Sequence, residues 1–219
     1  MHKSVNNLID IENKLNDVQT SNIKKKPKII AVSKTFSSDD IKPLIIYGHK
    51  DFGENKIQEA VDKWTEIKNN FNEIKLHMIG KIQTNKVKFL IPLFDYLHSL
   101  DNLKLAEKIS KEELKKNKKI KIFIQVNLGD EKQKNGINLR DLESFYKECS
   151  FNLNLNIIGL MCLPPIEDDP KKYFLQLKES ANKINLKELS MGMSNDYEIA
   201  ANNGSTFVRI GSKIFGERI

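Results

Sequence analysis

No window of this chain approaches the roughly 18 consecutive apolar residues of a membrane-spanning helix, so no membrane partner is expected. Cysteine is nearly absent. Cys149 and Cys162 are the only two, they form no C-x-x-C pair, and they fall in a helix-like and a strand-like segment. That excludes a disulfide framework and leaves two structural thiols in a reducing compartment. Met1 to Thr20 lacks the pattern of a signal or basic transit peptide: it alternates polar and apolar residues and carries Asp10, Glu12 and Asp17. Cytoplasmic residence is the expectation. A glycine-rich dinucleotide loop is missing, since Gly48-His49-Lys50-Asp51-Phe52-Gly53 has the wrong spacing, and no Ser-His-Asp order appears. His77 and His98 come without a matching carboxylate or cysteine set, which argues against a metal and for hydrogen-bonded strand histidines.

What is present describes a soluble globular protein. Of 219 residues, 39% are apolar and 30% charged, enough for a substantial core in one large domain or two small ones. The formal net charge of +7 raises nucleic acid as a partner. Yet Lys104, Lys108, Lys111, Lys115 and Lys116 are interleaved with Glu107, Glu112 and Glu113, the pattern of a solvated helix face. Lys24-Lys25-Lys26 reads as a connector ahead of Pro27. Nucleic acid is therefore not an expected partner.

Short apolar runs alternate with longer amphipathic stretches. Ile29–Ser33 is aliphatic on both faces, as a buried parallel strand is. Helix Asp39–Tyr47, closed by Gly48, leads to a short strand Asp51–Gly53. Asn55 then caps a helix in which Ile57, Ala60, Val61, Trp64 and Ile67 recur every three or four residues. The alternation continues through strand Leu76–Ile79, helix Thr84–Ile91 stopped by Pro92, strand Tyr96–Leu100 and helix Leu103–Lys116. Strand Ile120–Leu128 precedes a helix capped by Asn138 and running towards Cys149. Strand Leu155–Leu163, ended by Pro164-Pro165, and helix Tyr173–Ile184 follow. Strand Leu189–Met191, helix Ser194–Asn203 closed by Gly204, and strand Thr206–Ile210 complete the series. Eight strand–helix units without a composition break predict a single α/β domain, a (β/α)8 TIM barrel over residues 27–219. An extra N-terminal helix, about Ser4 to Gln19, and a linker occupy residues 1–26. A doubly wound open sheet is the alternative.

In such a barrel the reactive groups sit at the C-terminal ends of the strands, and a phosphate site commonly forms after strands seven and eight. Lys34 ends the first strand. Burial there disfavours the ammonium and frees an amine for Schiff-base chemistry; in the plainer reading Lys34 extends into water. Ser190-Met191-Gly192-Met193-Ser194 leaves strand seven and Arg209-Ile210-Gly211-Ser212 leaves strand eight. Both are small and hydroxyl-bearing, so backbone N–H groups can approach an anion. Ser194 also opens a helix whose dipole favours an anion, unless it is only a cap and Gly192 and Gly211 are turn glycines. Arg209, between Val208 and Ile210 in a buried strand, needs a partner: a carboxylate such as Glu54, or a ligand group at the barrel mouth. A lysine, a phosphate cup and an arginine so arranged suggest pyridoxal 5'-phosphate (PLP).

The chain resembles the YggS/PROSC family of PLP-binding proteins, the PLP homeostasis proteins, along almost its whole length. The matching segments are Ala31-Val32-Ser33-Lys34-Thr35, Phe52-Gly53-Glu54-Asn55 and His77-Met78-Ile79-Gly80-Lys81-Ile82-Gln83-Thr84-Asn85-Lys86. To these are added Leu189-Ser190-Met191-Gly192-Met193-Ser194 and Val208-Arg209-Ile210-Gly211-Ser212-Lys213-Ile214-Phe215-Gly216. The His-x-x-Gly-x-x-Gln-x-Asn-Lys element is especially family-specific. The resemblance implies a fold-type III barrel like the N-terminal domain of alanine racemase, with Lys34 carrying PLP as an internal aldimine. It implies that Ser194, Gly211 and Ser212 hold the phosphate and that Arg209 faces the pyridine nitrogen, with Asn55 and Met193 completing the cofactor-binding set. Ser212 stands where the family often has threonine and keeps the hydroxyl.

Arginine does not release its proton, so a ring nitrogen beside it stays unprotonated and the ring is a weaker electron sink. Lys134 matches a second lysine that the family implies in PLP transfer. The implied function is PLP homeostasis, a monomer that buffers the cofactor or delivers it to apo-PLP enzymes without catalytic turnover. The alternative is a PLP-dependent amino-acid racemase. That needs a second acid/base, usually a tyrosine from a partner subunit, and a further β-domain. Tyr47, Tyr96, Tyr146, Tyr173 and Tyr197 mostly fall in predicted helices away from strand ends, and the chain stops at Ile219 directly after the barrel. A class I aldolase fits the parts chemically but does not need Arg209 beside a ring.

Overall fold

Each barrel strand is short, and its alternating side chains go to two different places. The computed structural model describes residues 1–17, 26–129 and 135–217. Its barrel strands are β1 (Lys28–Val32), β2 (Asp51–Glu54), β3 (Lys75–Met78), β4 (Tyr96–Leu100), β5 (Lys121–Asn127), β6 (Ile157–Met161), β7 (Glu188–Met193) and β8 (Phe207–Ile210). All neighbours pair in parallel, in the order β4-β3-β2-β1-β8-β7-β6-β5, and β4 pairs with β5 as well. That pairing closes the ring and excludes the open sheet. A two-residue strand, Ile137–Asn138, joins the C-terminal end of β5 where the pairing with β6 has run out.

Outward-facing residues such as Ala31, Phe52, Leu76, Leu97, Ile122, Leu160 and Val208 form the main core under the helices. Inward-facing Ile30, Tyr96, Phe123, Met161 and Phe207 form a second cluster inside the ring. The helices are α1 (Lys3–Asp17), α2 (Ser38–Tyr47), α3 (Ile57–Asn70), α4 (Val87–Leu93), α5 (Leu103–Lys116), α6 (Leu142–Lys147), α7 (Pro170–Lys183), α8 (Tyr197–Asn202) and α9 (Ser212–Phe215). In α1, Val5, Leu8, Ile11 and Leu15 make one buried stripe at helical spacing. This stripe packs α1 against α2 and α9, and the Asn7 side-chain amide donates to the Ile214 carbonyl at 2.9 Å. Helix α2 starts in a capping box, in which Ser37 accepts from the Asp40 N–H and Asp40 from that of Ser37. It ends at Gly48, whose φ of +99° is the left-handed stop expected there.

Several boundaries differ from the sequence reading, each for a local reason. Pro92 does not stop α4 at Ile91 but lies in its last turn, and the helix ends one residue later at Leu93. The start of that segment, Thr84–Lys86, winds as a tighter 3-10 turn. Asn138 caps no helix with its side chain; its backbone pairs with Asn127 of β5, and α6 begins only at Leu142. Asn55 makes no cap either, since α3 is preceded by Lys56 without a side-chain cap bond. Strand β7 runs on to Met193, two residues beyond the expected end, because its register with β8 slips between Ser190 and Met193. The helix after it therefore starts at Tyr197 behind Asp196, and Ser194 lies in the turn before it. The expected linker lies mostly in residues 18–25, and Lys134 likewise falls outside the described residues.

Candidate functional site

Alternation along β1 turns Ile30 and Val32 inward, and Lys34 is the next inward position, just past the strand end. The turn that carries it is unusual. Thr35 has φ of +69°, a left-handed conformation that costs a β-branched residue on the order of 1–3 kcal/mol. Helix α3 holds the turn there. Glu59 accepts from the Thr35 N–H at 2.6 Å, and the Lys63 ammonium donates to the carbonyls of Ser33 and Phe36 at 2.8 Å each. Lys63 is itself almost buried, and it pairs with Glu54 at 3.0 Å and Glu59 at 3.3 Å.

Glu54 is fully buried, on the outer face of β2. Its Oε1 accepts from the Ser33 hydroxyl and the Trp64 indole N–H, both at 2.8 Å. Its Oε2 has no hydrogen-bond partner among the described residues. The suggested ion pair between Arg209 and Glu54 is thus overturned: the two lie on opposite faces of the barrel wall.

Arg209 points inward from β8, between Ile30 of β1 and Met193 of β7. Its Nη1 donates to the carbonyl and the hydroxyl of Ser190 at 2.7 Å each, and its Nη2 to the Cys162 carbonyl at 2.9 Å. Among the described residues, no carboxylate takes part. These bonds use three of the five N–H donors of a guanidinium, and two remain without a bond among the described residues. Burial pulls the Arg209 pKa below its usual value, and only the neighbourhood of Cys162 and Asp196 opposes this. Cys162, in turn, is pushed up to about 12 by its burial, and Cys149 likewise, so both are inert as thiolates.

Below Arg209 the barrel interior is polar and aromatic. His98 Nδ1 lies 2.8 Å from the Ser190 hydroxyl, His98 Nε2 lies 3.0 Å from His77 Nδ1, and His77 Nε2 lies 2.9 Å from an Asp51 carboxylate oxygen. His77 stacks on Tyr96 and His98 on Phe123, with ring centroids 4.2 and 4.3 Å apart. Burial, the largest influence on both histidines, pushes their pKa values down, that of His98 furthest.

Above Arg209 a cavity of about 610 Å3 opens at the C-terminal ends of the strands. Lys34 lines it from β1 and Asn55 from β2. Met193 at the end of β7 and Ser194 just after it line it too, with Arg209 from β8 and Gly211 and Ser212 just beyond that strand. The structure thus brings all seven residues singled out in the sequence to one cavity. Sequence reasoning missed part of its wall. Pro164 and Pro165 were read only as a strand stop, and Asn195 and Asp196 were passed over, though their place after β6 and β7 marks them. Asp196 accepts from the Met193 N–H at 2.6 Å and so shapes the Ser194 turn. On the rim, Asp168 is bonded to the Tyr173 hydroxyl at 2.6 Å and paired with Lys172 at 2.9 Å.

Comparisons with known proteins agree with this architecture. The family model described as "Alanine racemase, N-terminal domain" matches residues 7–219. A pyridoxal phosphate homeostasis protein of Aquifex aeolicus is 36% identical over 200 residues, 87% of either chain. One from Escherichia coli is 31% identical over 229 residues, covering 100% of this chain and 98% of its own. Among solved structures, PipY of Synechococcus elongatus without PLP superposes with a TM-score of 0.87 at 29% identity, covering 98% of this chain and 100% of PipY. PipY with PLP bound gives 0.85 at 28% identity, over 97% and 100%. Alanine racemase of Clostridium difficile shares the fold alone, with a TM-score of 0.73 at 14% identity over 97% of this chain and 57% of its own. By its matched sequence model and by these relatives, the chain belongs to the alanine racemase N-terminal domain family, and within it to the pyridoxal phosphate homeostasis proteins.

Proposed function

We propose that this cavity binds pyridoxal 5'-phosphate and that the protein serves PLP homeostasis, holding the cofactor and passing it on. The observation that carries the reading is the convergence of Lys34, two hydroxyl-bearing turns and a partly satisfied Arg209 on one cavity. PipY, with PLP bound, and relatives named for PLP homeostasis support it.

The donor set fits the group. A space of about 610 Å3 is of the size that small-molecule sites have. The hydroxyls of Ser194 and Ser212 suit phosphate oxygens, and so do the backbone N–H groups where α9 begins after Gly211, which have no carbonyl a turn earlier. Asn55 and Met193 form wall. When bound, PLP supplies an aldehyde that condenses with a primary amine, releasing water. Among the described residues, Lys34 is the lysine that lines the cavity. Arg209 offers its remaining donors to the ring nitrogen and keeps its own proton, which withholds charge from the ring and weakens carbanion chemistry.

The reading is of a carrier rather than an enzyme. None of the five tyrosines is among the residues that line the cavity, so the second proton donor of a racemase has no tyrosine candidate there. We further read residues 27–219 as one PLP-binding domain that residues 1–26 precede. We read the protein as a cytoplasmic monomer, with apo-PLP enzymes as recipients. The two cysteines, buried and unbridged, fit a reducing compartment.

Borohydride reduction of the PLP-loaded protein followed by peptide mapping tests the site. The pyridoxyl label is expected on Lys34; a label mainly on Lys134 or another lysine overturns the assignment. Incubation with L-alanine in D2O tests the carrier reading. Slow α-deuteration with little D-alanine is expected, and rapid, saturable D-alanine formation would establish a racemase instead.

A further inference from the structure

Five polar side chains are joined end to end through the barrel, from Asp51 at the start of β2, through His77, His98 and Ser190, to Arg209 at the cavity. The direction of every bond in this series follows from its two ends. A guanidinium can only donate, so the Ser190 oxygen accepts from Arg209. Among the described residues the only other group bonded to that oxygen is His98 Nδ1, which leaves the hydroxyl proton to point there. His98 Nδ1 is then an acceptor, and its proton sits on Nε2. That proton goes to His77 Nδ1, which places the His77 proton on Nε2, facing Asp51. Starting from the Asp51 carboxylate, which can only accept, gives the same assignment in reverse order. A charged ring at either place would break the pattern; burial opposes it at both, and at His98 so does the nearby Arg209.

We infer that Asp51, His77, His98 and Ser190 form a one-way hydrogen-bonded strut that positions the Arg209 guanidinium at the cavity floor. The series cannot run the other way, because the Asp51 carboxylate has no proton to donate to His77. It is therefore a fixed support and not a proton path. The stacking partners Tyr96 and Phe123 set the two ring planes, so the strut has little freedom to turn. Its foot, Asp51, belongs to the opposite end of the barrel from the cavity, where its side chain is 19% exposed. A change at that end is thus felt at the ligand.

The direction of the strut stands on geometry alone, whereas its effect on ligand rests on the PLP reading, and the test separates them. The full chain with 15N-labelled histidine and no added ligand reports which ring nitrogens carry protons. At neutral pH both His77 and His98 are expected with a protonated Nε2 and a bare Nδ1. A bare Nε2, or a doubly protonated ring, at either position overturns the one-way strut. PLP titration then compares the wild type with Asp51→Leu, which removes the acceptor, and Asp51→Asn, which keeps an acceptor oxygen. Affinity is expected to fall about tenfold in the first and to recover most of that loss in the second. Wild-type affinity in Asp51→Leu overturns the positioning role. Ser190→Ala supplies the same test should Asp51→Leu not fold. With its Nδ1 partner removed, His98 is expected to keep its proton on Nε2, held there from the Asp51 end, while the resonance of the bare Nδ1 moves; an unchanged Nδ1 shift overturns the link. A wild-type chain that binds no PLP overturns the reading of the cavity, and the nitrogen measurements still decide the strut.

Discussion

Lys63 donates to the carbonyl of Ser33 at 2.8 Å and so holds, from a neighbouring helix, the turn that presents Lys34. The same ammonium faces fully buried Glu54, and removing it strands that carboxylate in the interior. Lys63→Met is expected to lower stability by about 3 kcal/mol, the usual cost of breaking a buried pair on one side. Adding Glu54→Gln should regain part of this loss, because a neutral amide needs no counter-charge. Urea unfolding of the single and double variants measures both effects. A double variant less stable than Lys63→Met would show that Glu54 matters through something other than this pair.

Arg209→Glu should be more damaging than its position in a ligand site alone suggests. The Ser190 and Cys162 carbonyls that now accept from Arg209 would face a second acceptor. Lost charged hydrogen bonds and opposed oxygens together are expected to cost about 3 kcal/mol. Arg209→Gln, which retains donors, is expected to lie between the two. Thermal or urea unfolding checks the order.

Two glycines, Gly211 lining the cavity and Gly80 packed behind its Asn55 wall, should respond differently. A Cβ at Gly80 would lie 2.2 Å from the Asn55 carbonyl oxygen, so Gly80→Ala must move a cavity-lining segment and should reduce both stability and PLP affinity. A Cβ at Gly211 meets nothing closer than 3.4 Å, in a conformation open to any residue. Gly211→Ala should therefore leave stability within about 1 kcal/mol of wild type. Gly211→Leu is expected to fold and to lose PLP affinity. Undiminished PLP affinity in Gly211→Leu would argue against the phosphate cup.

Stability should fall with acid in a histidine-dependent way. His77 and His98 hold pKa values below the ordinary 6.5 because burial disfavours their charged forms. The unfolded chain then takes up protons near pH 6.5 that the folded chain refuses. This contribution is complete above pH 6.5 and is lost as pH falls from there towards the folded-state values. The urea midpoint is expected to drop as pH goes from about 7 to about 5. His98→Phe removes one titrating ring and should flatten that slope, whatever it does to absolute stability.

Much of this was legible in the sequence because alternation is a strict rule. Counting by twos along the first and last strands places Lys34 and Arg209 on the inner face, and strand ends of a closed barrel share one mouth. What the alternation could not show was where each strand stops. Asn55 and Ser194 were read as helix caps, yet a register slip in β7 moved the second turn onward, and the helices start behind Lys56 and Asp196, neither of which makes a side-chain cap bond. Glu54 follows inward-facing Gly53, so a step of one residue put it behind the wall and away from Arg209. Lys63 looked like any lysine on an amphipathic helix, and its role needed the fold of α3 onto the Lys34 turn. The contact between His77 and His98 likewise depends on how β3 and β4 align, which neither strand states alone.

The pairing of β1 with β8 also orders events in time. Lys34 emerges early in synthesis, whereas Arg209, Gly211 and Ser212 come from the far side of the sequence, and α1 reaches across almost the same interval to Ile214. No fragment ending before residue 207 contains both halves of the cavity. Closing so long a loop is slow, since its entropy must be surrendered before the contacts reward it. A nascent chain thus carries an exposed amine but no pocket, and cofactor competence arrives only with the final strand.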